Sequence, residues 1–355
     1  MKETSLYIHI PFCKQKCFYC DFPSFAGKER YREAYIEALC KEILNKCQQY
    51  KIKSIFIGGG TPSYLEVHEI KKLLETVNKL QLVDDMEFTM ECNPGTVNEE
   101  KLIAMKDGGI NRISFGLQSC NNELLKIIGR IHTYEEFVDN YKLARKLGFN
   151  NINVDLMYGL PNLTVDLWKD TLAKICNLKP EHISAYSLII EEGTAFYTLH
   201  MKDKLNLPSE EEEREMDKLT KDLLGSGGYN QYEISNYSLE GRECEHNKVY
   251  WKLKEYIGVG SSSSSYIDGF RVVNNPDVKS YIEKIQKNES VEIERYKNTI
   301  KDEIEEYMFM GLRLNEGISK MEFKQKFNTD IDSIYGNIIE KNIKRGLLEL
   351  KDDKL

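Results

Sequence analysis

The sequence lacks any apolar run near the roughly 18 residues that a membrane span requires. It also lacks a charged start followed by an apolar stretch, so neither a membrane helix nor a secretory leader is expected. There is no basic excess: 49 Lys and Arg against 57 Asp and Glu give a net charge of −8 and a pI near 5.5, which argues against general nucleic-acid binding. Nine cysteines in a chain without a leader argue for a reducing, cytoplasmic setting and against a disulfide framework. No internal repeat is visible, and the only low-complexity segment is the serine run Ser261–Ser265. Tyr256-Ile257 and Tyr266-Ile267 on either side make that run an ordered turn rather than a flexible linker. With 355 residues, 41% of them hydrophobic, the chain suffices for a main domain and an appendage.

What is present begins with Cys13, Cys17 and Cys20, in the run IHIPFCKQKCFYCDF. Their CxxxCxxC spacing supplies three thiolates and no fourth. A [4Fe–4S] cube has four corners to ligate, so a short loop with three cysteines leaves one iron open to another ligand, as catalytic metal sites do. A structural zinc knot and a chance group of buried thiols are the other readings. Zinc normally requires a fourth Cys or His nearby or a second paired motif, and there is no second CxxC. His9 lies on an alternating run, Leu6 to Ile10, and is expected to face an interior or a neighbour. Cys40, Cys47, Cys92, Cys120, Cys176 and Cys244 lack ligand spacing and read as small buried hydrophobes.

Short β-branched or aromatic runs at 6–10, 54–57, 87–90, 112–115, 152–157 and 182–188 alternate with amphipathic stretches at 30–48, 67–80, 133–147 and 164–177. This order predicts α/β architecture: a parallel sheet with right-handed crossovers, rolled into a full or partial barrel. Polar motifs follow the strands, at the end where such folds place their sites. They are Gly58-Gly59-Gly60-Thr61-Pro62-Ser63, Glu91-Cys92-Asn93-Pro94-Gly95, Ser114 to Ser119, and Asp155 to Pro161. The glycines would let backbone amides approach a ligand. Each motif alone is an ordinary strand terminus; their recurrence at one end points to a shared site.

The set LYIHIPFCxxxCxYC, GGGTPS, ExNPGT, RISFGLQS, DLMYGLP and HNxxYW resembles the radical S-adenosylmethionine enzymes, and within them the oxygen-independent coproporphyrinogen oxidase-like group, from Leu6 to about Leu350. The resemblance implies a partial (β/α)6, TIM-like barrel with a smaller, mostly helical, winged-helix-like C-terminal domain. It implies a [4Fe–4S] cluster on Cys13, Cys17 and Cys20, and S-adenosylmethionine on the open iron. Carried over by position, it places Tyr7 and Tyr19 near cluster and cofactor, with Gly59, Gly60 and Thr61 at the methionine moiety. Glu91, Gln118, Arg130 and Asp155 are further cofactor-binding positions, and Ala185 lies against the adenine unless it is simply a core alanine. An electron donor such as flavodoxin or ferredoxin is implied as well.

Coproporphyrinogen oxidases of this group carry a fourth cysteine two residues after the third, and an N-terminal extension. Here Phe22 stands in that place, and twelve residues precede Cys13. His246 to Trp251 form an HNxxYW motif similar to the haem-chaperone branch of the group, which makes His246 a candidate haem ligand, haem or a porphyrin the ligand and a haem-acceptor protein a partner. The other reading of His246 is a structural histidine beside a buried Trp–Tyr pair, and Cys244 is an alternative thiolate. The competing function is an oxidase that decarboxylates coproporphyrinogen III propionates through a 5′-deoxyadenosyl radical. A homodimer and transient contact with a membrane protein are further expectations of the resemblance.

Two departures stand out. The histidine that relatives place after GVG is here Ser264. At the C-terminus, 304–314, 320–327 and 332–345 read as helices and 346–350 as a strand, with a mixed charge pattern that favours packing or partner binding over DNA. The domain boundary is expected within Asn236–Arg242, dividing the chain into 1–238 and 239–355. The acidic run Glu210 to Glu215 reads as a solvated helix start rather than a metal site.

Overall fold

In the computed structural model, which describes all 355 residues, six parallel strands form the centre: β1 (Lys2–Ile10), β2 (Tyr50–Gly59), β3 (Gln81–Cys92), β4 (Arg112–Gln118), β5 (Ile152–Tyr158) and β6 (His182–Ser187). They lie side by side in chain order. Helices α1 (Arg32–Cys47), α2 (Val67–Val77), α3 (Glu99–Asp107), α4 (Asn122–Ile127), α5 (Tyr134–Lys146) and α6 (Val165–Leu178) form the crossovers. The sheet is open rather than closed, so the expected partial (β/α)6 barrel is what forms.

Strand alternation explains the two sides of this sheet. Leu6, Ile8 and Ile10, then Ile113, Phe115 and Leu117, then Ile152, Val154 and Leu156 are all fully buried in the main core. Helix α2 meets such strands with Ile70, Leu73, Leu74 and Val77 on one face, and its start is fixed by a capping box between Glu66 and Glu69. The intervening strand residues face the barrel interior and are polar there: His9, Ser54, Arg112, Ser114, Asn153 and His182 are buried. A polar interior requires internal partners, and Asn153 illustrates this by bridging Ser114, Asp155 and His182.

The chain continues through α7 (Ala195–His200) and α8 (Glu210–Ser226), where the acidic run starts a helix capped by Ser209 and Glu212, as expected. Six short strands then extend the sheet at both edges. β7 (Asn230–Gln231) and β8 (Asn236–Ser238) follow β6 antiparallel, with helix α9 (Glu245–Trp251) next in the chain. β9 (Tyr256–Val259) pairs parallel with β1, and β10 (Ser264–Ile267), β11 (Phe270–Asn274) and β12 (Glu292–Lys297) continue from it, with α10 (Val278–Gln286) packed alongside. The sheet therefore holds twelve strands. The serine run is ordered, as its flanking aromatics implied: Ser263 Oγ donates to Gly260 O at 2.7 Å, and Gly260 N donates to Glu42 at 2.8 Å. Ser264 itself is exposed.

Two expectations need correction. A division at 238/239 would cut through the sheet, because β9 pairs with β1 and residues as late as Val291 belong to the main core. A second core, Ile304, Ile318, Phe323, Ile331, Ile339 and Leu355, forms under α11 (Ile300–Gly311), α12 (Lys320–Phe327) and α13 (Ile331–Lys344). The physical break thus follows β12. Residues 346–350 form no strand either, since no neighbouring strand offers a ladder. Instead Lys354 bridges Lys351 and Ser319, a minimal wing that seats Leu355 in the small core.

Candidate functional site

The loop after β1 carries the three cysteines and is tied down at its ends and middle. Cys13 N donates to Phe25 O at 3.0 Å, Phe25 N to Pro11 O at 2.8 Å, and Phe18 N to Ile128 O at 3.1 Å. At its base His9 donates from Nε2 to Pro23 O at 2.8 Å, which leaves Nδ1 to accept from Tyr7 OH at 3.0 Å. Burial lowers the His9 pKa, consistent with this neutral form. His9 therefore braces the loop from the interior.

The glycine run makes room for this arrangement. Gly59 has φ +112°, and a Cβ there would come within 2.5 Å of the His9 ring. A Cβ on Gly60 would meet Phe12 O at 2.8 Å and Cys13 Sγ at 3.0 Å. Their amides are engaged: Gly59 N donates to Glu91 Oε2, Gly60 N to Ile10 O and Thr61 N to Phe12 O. The glycines thus admit the cysteine loop, and their N–H groups are not free donors for a ligand.

A cavity of about 580 Å³ opens at this end of the sheet, within the range of small-molecule sites. Cys13, Cys17, Cys20, Tyr19, Gly59, Gly60, Thr61, Glu91, Gln118, Arg130 and Asp155 all line it, so the expected residues of six separate segments converge. Three of the expected residues do not. Tyr7 lies deeper, bonded to His9. Ala185 belongs to the outer core because its neighbours Ser184 and Tyr186 take the inward positions. His246 is fully buried away from the cavity.

The electrostatics divide the cavity floor. Arg130 is held by Asn93 Oδ1 and Gly116 O, and its Nη1 lies 3.5 Å from Cys17 Sγ. Burial raises the Cys13 and Cys20 thiols, with the Thr61 hydroxyl 3.5 Å from Cys13 Sγ acting in the opposite direction. Glu91 is pushed up to about 8, by burial first and then by Asp155. Burial raises Asp155 too, against its bonds to Asn153 at 2.7 Å and Ser114 at 3.3 Å. Gln118 ends β4 with φ +74°, an unusual conformation for a non-glycine residue, and its side chain accepts from Tyr186 OH at 2.8 Å.

Helix α9 forms part of another wall. Glu87 of β3 caps it, accepting from Glu245 N and His246 N at 3.0 Å each and from the Cys244 thiol at 3.4 Å. Burial pushes Cys244 up to about 12, and its thiol is spent on Glu87 away from the cavity lining. His246 and Tyr250, four apart, face inward; Asn247 and Trp251, also four apart, line the cavity. Ser54 Oγ donates to Ser5 and lies 3.0 Å from His246 Nδ1, which makes Nδ1–H the donor there. His246 Nε2 then accepts from Tyr250 OH at 2.9 Å. Trp251, one of the two HNxxYW aromatics suited to a flat macrocycle, lines the cavity, as do Glu233, Asn236, Asn247 and Arg313, which sequence reasoning did not assign, although the i, i+4 relation to Trp251 could have shown Asn247.

Residues 7–175 match the radical SAM superfamily and 298–355 the HemN C-terminal domain. The chain is 39% identical to "Heme chaperone HemW" of Bacillus subtilis, with 97% of this chain and 92% of the relative aligned. It belongs to the HemW family of the radical SAM superfamily. The HemW of Escherichia coli is 41% identical over 73% of this chain and 69% of its own. Among solved structures, the radical SAM coproporphyrinogen III oxidase HemN from Escherichia coli superposes with a TM-score of 0.86, covering 99% of this chain and 86% of that one at 22% identity; this likeness is one of fold. Radical SAM membership implies a [4Fe–4S] cluster and S-adenosylmethionine. The residues present fit such a group: Cys13, Cys17 and Cys20 line one cavity beside Arg130, and three thiolates can ligate three irons of a cube. No helix is long and apolar enough to cross a membrane.

Proposed function

We propose that this protein is a haem carrier that holds a [4Fe–4S] cluster on Cys13, Cys17 and Cys20, keeps S-adenosylmethionine beside it, and passes haem to an acceptor protein. The observation that carries this reading is a single cavity with the three thiols on one wall and Asn247 and Trp251 of the HNxxYW helix on another. The names of the relatives, heme chaperone, agree with it.

When bound, the cluster supplies one electron, drawn from a flavodoxin or ferredoxin class donor, at an iron open to S-adenosylmethionine. The chain's own groups prepare for this. The Arg130 guanidinium stabilises negative charge on Cys17, and the Thr61 hydroxyl does so for Cys13. Glu91 and Asp155 offer carboxyl groups to a cationic cofactor, with Tyr19, Gly59, Gly60 and Gln118 closing the wall around it. Asn93 and Gly116 O fix the arginine. His246 can offer its Nε2 lone pair to haem iron only after Tyr250 OH withdraws from it. The exposed Phe22 lines the cavity at the place where the oxidases of this group carry a fourth cysteine.

Anaerobic reconstitution with iron and sulfide, followed by spectroscopic haem titration, tests the reading. Wild type should show cluster absorbance and saturable haem binding, and Cys13→Ala, Cys17→Ala or Cys20→Ala should each lose the cluster. A protein that assembles the cluster but takes up no haem would overturn it.

A further inference from the structure

Arg313 lies in the turn between α11 and α12, and the backbone fixes that turn to the barrel rim. Leu314 bridges Glu233, Asn315 N donates to Tyr232 O at 2.9 Å, and Asn315 Nδ2 donates to Gln231 O at 2.7 Å. Lys252, just after α9, forms an ion pair with Glu316 at 2.6 Å. The small C-terminal core thereby delivers one cation to the cavity wall.

That cation has no carboxylate or hydrogen-bond acceptor in the protein. The half-buried arginines Arg145 and Arg271 are each paired with a carboxylate, at 2.8 and 2.6 Å. Arg313 makes no ion pair and no side-chain hydrogen bond, and its Nε is buried without a partner. Its guanidinium instead lies over the Trp251 ring, 4.3 Å from the centroid. Trp251 Nε1–H is also buried and unpartnered. Buried donors normally find acceptors, and here two adjacent residues line one cavity with donors left over. The neighbouring Glu233 does not satisfy them; its Oε1 accepts from Ser235 N and Asn236, and its Oε2 is itself unpartnered.

We infer that Arg313 and Trp251 form a subsite for a ligand carboxylate, which a propionate of the carried haem occupies while the indole lies against the macrocycle. This rests on the haem-carrier reading. A guanidinium pairs with a carboxylate in a two-pronged contact, and the indole supplies a flat apolar face with one donor. The C-terminal unit thus contributes to ligand recognition by completing the cavity. The methionine carboxylate of S-adenosylmethionine has the same chemistry, and the test separates the two.

Reconstituted full-length wild type, Arg313→Gln and Trp251→Phe are titrated with haem and with haem dimethyl ester, and S-adenosylmethionine binding is measured by calorimetry. Wild type should bind haem about tenfold more tightly than the ester, and Arg313→Gln should lose that preference while binding the ester unchanged. Trp251→Phe should weaken both. Because Arg313 makes no ion pair or side-chain hydrogen bond and loses only its contact with the Trp251 ring, the thermal midpoint of Arg313→Gln should fall by no more than a few degrees. S-adenosylmethionine affinity should not change; a loss there with haem binding intact overturns the assignment. Wild type that binds haem and ester equally overturns this subsite alone, whereas wild type that binds neither overturns the carrier reading as well.

Discussion

Glu91 is the residue whose ionisation most directly reports on the cavity. Its carboxyl sits at about 8 because it is buried and faces Asp155, so it is mostly neutral at pH 7. A cation bound beside it favours the charged form and expels the proton. S-adenosylmethionine affinity is therefore expected to rise roughly tenfold between pH 7 and pH 9. Glu91→Gln should abolish that rise in calorimetric titrations, and an unchanged slope in the variant would exclude Glu91 as its source. A second residue-scale expectation concerns His246, whose Nε2 accepts from Tyr250 OH. If iron takes that lone pair, Tyr250→Phe removes a competitor and should tighten haem binding by about two- to tenfold. Equal haem affinity in Tyr250→Phe, His246→Ala and wild type would leave the histidine a purely structural role. The sequence announced the cysteines by their spacing and Glu91 and Asp155 as motifs after strands, whereas Arg130, which follows α4, came from the family resemblance alone. It could not reveal that Ala185 faces outward or that His246 is enclosed, since both depend on which strand or helix face the tertiary fold turns inward.

At the scale of elements, α9 is only seven residues long, too short to persist without external support. Glu87, reaching across from β3, provides that support by accepting two of its first N–H groups. Glu87→Ala should cost about 1–2 kcal/mol in urea denaturation and weaken haem binding by displacing Trp251. Stability loss without any change in haem affinity would separate the helix from the ligand site. The six central strands were legible from their β-branched runs, and the major helices from their amphipathic period; the capping boxes of Thr133 with Glu136 and Ser209 with Glu212 went unread. The edge strands β7 to β12 were not, being two to six residues long and dependent on the neighbours with which they pair. Residues 346–350 show the converse: an apolar run of strand composition stays irregular when no edge is available to it.

The whole molecule keeps several ionisable groups neutral inside. Burial lowers His9, His132, His182 and His246, with His132 and His246 brought down to about 3. A histidine with a folded pKa below its unfolded value leaves the unfolded chain to take up protons first, so stability present above about pH 6.5 is lost as pH falls. Glu91 and Asp155, raised by burial, act in the opposite sense but are fewer. The unfolding free energy from urea titrations should therefore be lower at pH 5 than at pH 7.5; equal values would contradict neutral buried histidines. The sheet's continuation to β12 also explains why the domain break was misplaced, because long-range pairing of β9 with β1 leaves no mark in local composition. The central claim is that this barrel carries haem rather than decarboxylating porphyrinogen. The reconstituted protein should therefore be incubated anaerobically with coproporphyrinogen III, S-adenosylmethionine and dithionite, with carbon dioxide and protoporphyrinogen quantified and haem uptake measured on the same preparation. Haem uptake with no carbon dioxide above the protein-free control is expected, and repeated turnover to protoporphyrinogen would contradict a haem-carrying role.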